Sequence, residues 1–190
     1  MIYIREIMKK ENLYFVLLWA AFGVFRIAIH FRKHGTLKTE TKDNVFFTMI
    51  LPYMFSIIAA FWEFEFRTIS INPIASSIGI LFFLSGSFIQ LSALYTLDRQ
   101  FSNAVELQSS HTLIDTGIYR LVRHPIYLGI ILQGISSIFL LNVISPLLFI
   151  LIATTGILLR IKKEESFLIQ SLPGYQEYMK KTFALIPGVY

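Results

Sequence analysis

The sequence predicts an all-α integral membrane protein, a helical bundle with about five transmembrane helices whose last two form a tight helical hairpin. Of its 190 residues, 55% are hydrophobic and 15% are charged, whereas a soluble domain carries about 25% charged residues. The mean hydropathy is +0.62. We therefore expect one transmembrane domain over residues 1–190, with three spans in residues 1–97 and a loop, the helical hairpin and a tail in residues 98–190.

Five apolar runs are long enough, or nearly long enough, to cross a bilayer. They cover residues 13–29, 45–62, 74–97, 126–141 and 143–159. The last two runs are short and almost continuous, and Asn142, Ser145 and Pro146 supply turn chemistry between them. The basic start before the first run resembles a signal peptide, but no small-x-small cleavage site follows that run. We therefore expect this segment to be retained as a helix.

The distribution of basic residues predicts the orientation. With the N-terminus outside, twelve Lys and Arg residues fall on the inner side and four on the outer side, as the positive-inside rule favours. The inner set is Arg32, Lys33, Lys38, Lys42, Arg99, Arg120, Arg123, Arg160, Lys162, Lys163, Lys180 and Lys181, and the outer set is Arg5, Lys9, Lys10 and Arg67. We expect a multi-pass protein of the cytoplasmic membrane in a prokaryote, or of the endoplasmic reticulum in a eukaryote, with its site on the cytosolic side.

Several kinds of site are excluded or disfavoured by the composition. The chain has no Cys, which excludes disulfides, thiolate metal sites and a thiol nucleophile. Its four histidines are scattered, and the pair His30 and His34 lies at a basic helix end, so we expect no metal site. The net charge of +5 has a topological explanation and does not indicate a nucleic-acid partner. Neither a nucleotide-binding glycine motif nor a serine-hydrolase elbow is present.

The predicted hairpin brings two charged segments to one depth. His124 lies 19 residues before Val143 at the turn, and Arg160 lies 17 residues after it. At about 1.5 Å per residue, the chain returns to nearly the level from which it started. The segments "RHPIY" and "RIKKEE" should therefore face each other and form one site at the inner interface.

The two sides of this site suit opposite charges. Pro125 fits the first position of a helix, which places His124 at the N-cap, beside unpaired backbone N–H groups and the positive end of the helix dipole. An anionic ligand group suits that end. Glu164 and Glu165 on the other side suit an ammonium, a sulfonium or a ribose diol. A ligand bound between them should carry both signs.

Each part of the cluster also has an ordinary structural explanation. Arg and His residues next to a span are most often interface anchors. Arg160 and Glu164 are four residues apart and could form a surface pair worth about 0.3 to 0.5 kcal/mol, although Arg before Glu is the less favoured order. Tyr119 and Tyr127 could belong to an aromatic belt.

The segments "SSHTLIDTGIYRLVRHPIYLG" and "RIKKEESFLIQSLPGYQEYMKKTFALIP", separated by a hairpin, resemble the isoprenylcysteine carboxyl methyltransferase family of integral membrane enzymes. The His-Thr-Leu run, the Gly-x-Tyr, the Arg-His-Pro-x-Tyr-x-Gly, the Arg-x-x-x-Glu-Glu and the Gly-Tyr-x-x-Tyr occur in family order. The resemblance covers residues 101–187, and the first three spans match only as apolar helices.

The resemblance implies that S-adenosyl-L-methionine binds in a pocket formed by the loop, the hairpin ends and the tail. Arg160 and Glu164 are the implied catalytic residues, with Arg160 on the substrate side and Glu164 as the cofactor-binding acid. The implied cofactor-binding residues are Glu106, His111, Thr112, Leu113, Ile114, Gly117, Tyr119, His124, Pro125, Ile126, Tyr127, Glu164 and Glu165.

The methyl acceptor that the resemblance implies is a lipophilic carboxylate, such as an isoprenylcysteine-type C-terminus, and the expected partners are a lipid-like substrate and membrane lipids. Three alternatives stay open. They are a methyltransferase for a phospholipid amine or another lipid, an NADPH-dependent steroid-type membrane reductase, and a non-enzymatic membrane subunit. The tail "GYQEYMKKTFALIP" is expected to be a short amphipathic helix that either covers the pocket or anchors the chain to the membrane.

Overall fold

The computed structural model describes residues 44–67, 72–97 and 113–190, and for residues 44–50 it describes the backbone. The described residues all belong to one compact unit. The predicted first span and three predicted site residues, Glu106, His111 and Thr112, lie outside the described residues. The single-domain organisation stays a prediction.

The described part of the chain forms five α-helices and one short 3-10 helix. The α-helices are α1 (Asn44–Phe66), α2 (Pro73–Leu97), α3 (Pro125–Leu141), α4 (Pro146–Ser171) and α5 (Tyr175–Lys181), and the 3-10 helix is Gly117–Arg120. The predicted all-α class is confirmed. Helices α2 and α3 match the predicted runs to within one residue, whereas α4 continues past residue 159 to Ser171, because its charged extension consists of good helix formers.

The predicted hairpin turn is held by side-chain hydrogen bonds on both sides. Asn142 ends α3 in the left-handed conformation, with φ 55°, and its Nδ2 donates to the Phe139 carbonyl at 3.0 Å. Pro146 is the first residue of α4. The Glu63 carboxylate on α1 accepts the backbone N–H groups of Ile144 at 2.9 Å and Ser145 at 2.7 Å. A side chain of α1 therefore fixes the turn between α3 and α4.

Helix α3 lies mainly against α2, and α4 lies mainly against α1. The α2–α3 contact is close because two glycines meet in it: an added Cβ at Gly86 would lie 2.8 Å from the Gly129 carbonyl oxygen. Buried hydrogen bonds between side chains join the same helices. Gln90 donates to Gln133 at 2.9 Å, and Gln133 donates to Ser87 at 3.0 Å. Close glycine contacts and buried amide bonds are typical of helices that associate in lipid.

Large apolar side chains cover the outer faces of these helices. Phe88 on α2 is 72% exposed and Leu148 on α4 is 62% exposed, and a wide exposed apolar surface is typical of a membrane-facing protein. Among the described helices, α2 is long and apolar enough to cross a membrane, and α3 is apolar but shorter. Helix α4 carries Arg160, Lys162 and Lys163 inside its length, so its apolar part is shorter than the helix.

Candidate active site

The start of α3 and the charged part of α4 are neighbours, as the hairpin geometry predicts. His124 is the N-cap residue of α3, and Pro125 is its first residue. The two ring nitrogens of His124 lie 3.5 Å from the Glu164 carboxylate and 3.2 Å from the Glu165 carboxylate. Two consecutive acids of α4 therefore meet the N-terminal end of α3.

A second set of contacts joins the same two helices one turn further into the protein. The Nε of Arg160 donates to the hydroxyl of Tyr127 at 2.9 Å and to Glu164 at 2.8 Å. The Tyr127 hydroxyl in turn donates to the same Glu164 oxygen at 2.6 Å. Because Arg160 is only 2% exposed, this pair is not the solvated surface pair that the spacing alone would allow.

Glu165 is held by two cationic or cation-forming neighbours. The Nε of Arg123 donates to its Oε1 at 2.7 Å, and the Nε2 of His124 lies 3.2 Å from the same oxygen. Burial by itself raises the pKa of Glu165, but the hydrogen bonds and charges of His124 and Arg123 outweigh burial and hold the pKa below its ordinary value. Glu165 is therefore an ionised acid at neutral pH.

The tail folds back onto the loop that precedes α3. The backbone N–H groups of Arg123 and His124 donate to the carbonyls of Phe183 at 2.8 Å and Ala184 at 3.0 Å, and Phe183 donates to the Leu121 carbonyl at 3.0 Å. The hydroxyl of Tyr178 on α5 donates to the Tyr119 carbonyl at 2.6 Å. Burial raises the pKa of Tyr178, so this donor stays protonated. The tail therefore packs against the loop that precedes α3; that it covers the pocket stays a prediction.

The other described site candidates lie around this cluster. Leu113 packs against the buried group Leu172, Tyr175 and Tyr178. The remaining members are distributed as follows: Ile114 and Ile126 are partly buried, Gly117 is exposed with φ +56°, Tyr119 is buried, and Pro125 is fully buried. Among the predicted site residues that the structure describes, the side-chain hydrogen bonds and ion pairs are therefore made by His124, Tyr127, Arg160, Glu164 and Glu165.

Sequence reasoning missed two residues. Arg123 enters the sequence-based prediction only as a basic residue of the inner side, although its place inside Arg-His-Pro is a usable signal for the site. Its guanidinium also donates to the carbonyls of Met179 at 3.1 Å and of Thr182. Glu63 is not among the predicted site residues, yet it is 7% exposed and accepts the backbone N–H groups of Ile144 and Ser145 directly before α4. No local pattern indicates a cap supplied from 82 residues away.

The arrangement suits a small ligand of mixed charge. The first backbone N–H groups of α3 receive no side-chain cap, so they and the helix dipole favour an anionic group. Glu164 is 19% exposed in its side chain, which leaves an acidic surface beside this helix end. Within the described residues, no group of three or more potential metal ligands is found.

Comparison with known proteins confirms the family resemblance. Residues 78–170 match the isoprenylcysteine carboxyl methyltransferase family. The chain is 33% identical over 122 residues to a protein-S-isoprenylcysteine O-methyltransferase of Saccharomyces cerevisiae, covering 62% of this chain and 51% of the relative. It is 32% identical over 118 residues to a probable protein-S-isoprenylcysteine O-methyltransferase of Oryza sativa subsp. indica, covering 60% of this chain and 62% of the relative.

A solved structure supports the same relationship. The fold matches that of a eukaryotic intramembrane Ras methyltransferase, isoprenylcysteine carboxyl methyltransferase, with a TM-score of 0.56 and 26% identity, over 74% of this chain and 52% of that chain. The chain therefore spans about half of the yeast relative and of this structure. The predicted fold class, an all-α bundle of the integral membrane type, is confirmed by this match, and within the described residues one helix, α2, is long and apolar enough to span a membrane.

Proposed function

We propose that this chain, a relative of the isoprenylcysteine carboxyl methyltransferase family through residues 78–170, is an S-adenosylmethionine-dependent carboxyl O-methyltransferase. Its acceptor is a lipophilic carboxylate, such as an isoprenylcysteine-type C-terminus. The observation that carries the proposal is the junction of His124, Tyr127, Arg160 and Glu164, in which the end of one helix faces a partly buried acid and a buried guanidinium.

The residues present fit the cofactor. S-adenosylmethionine would supply an activated methyl group on a sulfonium, next to a carboxylate, an ammonium and a ribose diol. The uncapped start of α3 suits the carboxylate. Glu164 suits an ammonium, a sulfonium or a diol, because a carboxylate accepts charge-assisted hydrogen bonds from an ammonium or a diol and attracts the positive charge of a sulfonium. We infer that His124 and Tyr127, whose rings stack with centroids 5.8 Å apart, form the wall beside this acid.

Arg160 is the residue that binds the acceptor carboxylate in this proposal. Its planar guanidinium binds a carboxylate in a fixed geometry. Tyr127 and Glu164 hold its Nε side, so the orientation of the group is set before the acceptor arrives. A carboxylate is already ionised at neutral pH, so methylation of it requires no general base. The chain contributes positioning and exclusion of water, and no proton has to move.

Two alternatives fit the site less well. An amine acceptor would place a cation beside Arg160, which is 2% exposed, and like charges repel strongly where water is excluded. A phosphorylated nicotinamide cofactor would bring several negative charges toward Glu164 and Glu165, which lie 19% and 14% exposed in their side chains at the same place. The acids therefore favour a ligand that is partly cationic.

The membrane setting suits a lipid-like acceptor. The exposed apolar faces of α2 and α4 give a prenyl or acyl chain access from the bilayer, while its carboxylate reaches Arg160 at the end of the apolar part of α4. The basic residues around the site favour the cytosolic side by the positive-inside rule. We infer a multi-pass topology in which the loop before α3, the extension of α4 and the tail lie on that side.

The proposal is tested by transfer of label. Membranes from cells with and without the protein are incubated with methyl-labelled S-adenosylmethionine, and the labelled lipid or protein is extracted and identified. We expect protein-dependent label that mild base releases as methanol, because a carboxyl ester is base-labile. Arg160→Gln should reduce the transfer about 100-fold, the loss typical of a misplaced reactant, and Arg120→Lys, a change at an exposed neighbouring arginine, should leave it unchanged. Base-stable label would refute the carboxyl acceptor.

A further inference from the structure

Arg123 and Glu165 form a partly buried ion pair that the proposed reaction does not use. Their side chains are 9% and 14% exposed, and Arg123 Nε lies 2.7 Å from Glu165 Oε1. We propose that this is a positioning pair, which sets the orientation of the His124 ring and through it the geometry of the cofactor acid Glu164. The inference rests on the proposed function and assigns Glu165 a role through His124 in place of direct contact with the cofactor.

The geometry makes the His124 ring a bridge between two acids. Its Nε2 lies 3.2 Å from the Glu165 oxygen that also accepts Arg123. Its Nδ1 lies 3.5 Å from the Glu164 oxygen that neither Tyr127 nor Arg160 uses. The two acids are consecutive on α4, so their side chains diverge by about 100° around the helix. One ring that touches both can keep its tilt only while each acid keeps its place.

Arg123 gives Glu165 a fixed partner. The same guanidinium that holds Glu165 also donates to the Met179 carbonyl at 3.1 Å and, through Nη1, to the carbonyl and hydroxyl of Thr182. The Arg123 backbone N–H donates to the Phe183 carbonyl at 2.8 Å. With its side chain and its backbone both tied to the tail, Arg123 cannot follow a displacement of Glu165. The tail is thereby connected to the His124 ring through two charged hydrogen bonds.

A purely structural role for Arg123 predicts something different. If Arg123 served only to hold the tail, its contact with Glu165 would be incidental, and the two residues would affect cofactor binding independently. A positioning pair makes their effects on cofactor affinity depend on each other and on His124, because residues in one hydrogen-bond network are not additive.

The experiment measures S-adenosylmethionine affinity by calorimetry on the purified full-length protein and on Glu165→Gln, Arg123→Lys and the double variant. Glu165→Gln keeps the shape of the side chain but removes its charge. We expect each single change to weaken binding about tenfold, within the range of couplings measured inside one network, and the double variant to be no weaker than either single variant. In a His124→Ala background, Glu165→Gln should have no further effect.

Turnover gives a second readout. The cofactor KM should rise about tenfold in Glu165→Gln, while kcat at saturating cofactor should change by less than about twofold, because the reacting groups stay in place. The matched control is Glu177→Gln, which removes an acid of the same type from an exposed pair with Lys180. It should alter neither quantity. Thermal unfolding of each variant identifies any effect that comes from loss of the fold.

The outcomes separate this inference from the proposed function. Unchanged affinity in Glu165→Gln, or single effects that multiply in the double variant, would overturn the positioning pair while the wild-type protein still binds the cofactor. A Glu165→Gln effect that persists in the His124→Ala background would mean that Glu165 touches the cofactor itself, which also overturns it. Wild-type protein without saturable binding would instead overturn the proposed function.

Discussion

A close approach of α2 and α3 at Gly129 predicts a large effect for one methyl group. An ideal Cβ at Gly129 would lie 2.4 Å from Gln90 Cγ and 2.6 Å from the Gly86 carbonyl oxygen. The side chain could move, but the backbone oxygen could not move without its helix. Gly129→Ala should therefore push α3 away from α2, only two residues after the site residue Tyr127.

The size of this effect follows from opposing contributions. Overpacking costs about 1 to 3 kcal/mol, and loss of the hydrogen bond between Gln90 and Gln133, 2.9 Å long, adds about 1 kcal/mol. Replacing a helical Gly by Ala returns about 1 kcal/mol. The net loss is about 2 kcal/mol, which corresponds to a decrease in Tm of about 4 to 8 °C for a chain of this size.

Thermal unfolding of the purified protein in a mild detergent measures the change. Gly134→Ala on the same helix is the matched control, because its Cβ would meet only side chains, the nearest being Ile150 Cγ1 at 3.3 Å. We expect the Tm of the control to stay within about 2 °C of the wild type. Equal decreases in the two variants, or no decrease in Gly129→Ala, would refute the close packing of α2 on α3.

Three further predictions concern the caps and the site. Glu63→Gln should lower the free energy of unfolding by about 1 to 3 kcal/mol, measured by thermal unfolding, because the carboxylate holds two backbone N–H groups at the start of α4. The pKa of Glu165 is held below the ordinary 4.5. The contribution of the ionised Glu165 to stability is therefore complete above pH 4.5 and is lost as the pH falls through the lower pKa of the folded state. On acidification below pH 4.5, Tm should decrease more steeply in the wild type than in Glu165→Gln. Tyr127→Phe removes the hydroxyl between Arg160 and Glu164 and should reduce kcat about tenfold with a small change in Tm.

The exposed acid Glu177 serves as a control for the predictions on Glu63 and Glu165. Glu177 pairs with Lys180 at 2.6 Å, but both side chains are more than half exposed, and exposed pairs contribute about 0 to 1 kcal/mol. Glu177→Gln should therefore leave Tm and its acid dependence unchanged. An effect of Glu177→Gln equal to that of Glu63→Gln would mean that general surface charge, and not the cap, explains the loss. A Tyr127→Phe variant with wild-type kcat would remove the hydroxyl from the mechanism.

The helices were predictable because their signals are local. Pro73, Pro125 and Pro146 each begin a helix, as the fixed φ and missing N–H of Pro favour. The depth of the site was predictable from the hairpin, since two helices of known rise that leave one turn return to the same level. The sequence alone therefore predicts that the polar residues of "RHPIY" and "RIKKEE" face each other.

The contacts that cross the chain were not predictable in this way. Glu63 accepts a backbone N–H of the turn 82 residues later, and Arg123 donates to a carbonyl 59 residues later. Neither pairing leaves a periodic signal, because the partner of a side chain is set by how helices pack and not by spacing. The burial of Arg160 was hidden for the same reason: an i,i+4 pair has one spacing whether it faces solvent or a neighbouring helix.

The central claim is that Glu164, facing the start of α3, binds the cofactor. Titration calorimetry of S-adenosylmethionine into the purified wild-type protein and Glu164→Gln tests it most directly, since Gln keeps an oxygen for Arg160 and Tyr127 while the charge is removed. We expect one saturable site per chain in the wild type and an affinity about tenfold to 100-fold weaker in the variant, as loss of a charged hydrogen bond predicts. Equal affinities in the two proteins would contradict the claim.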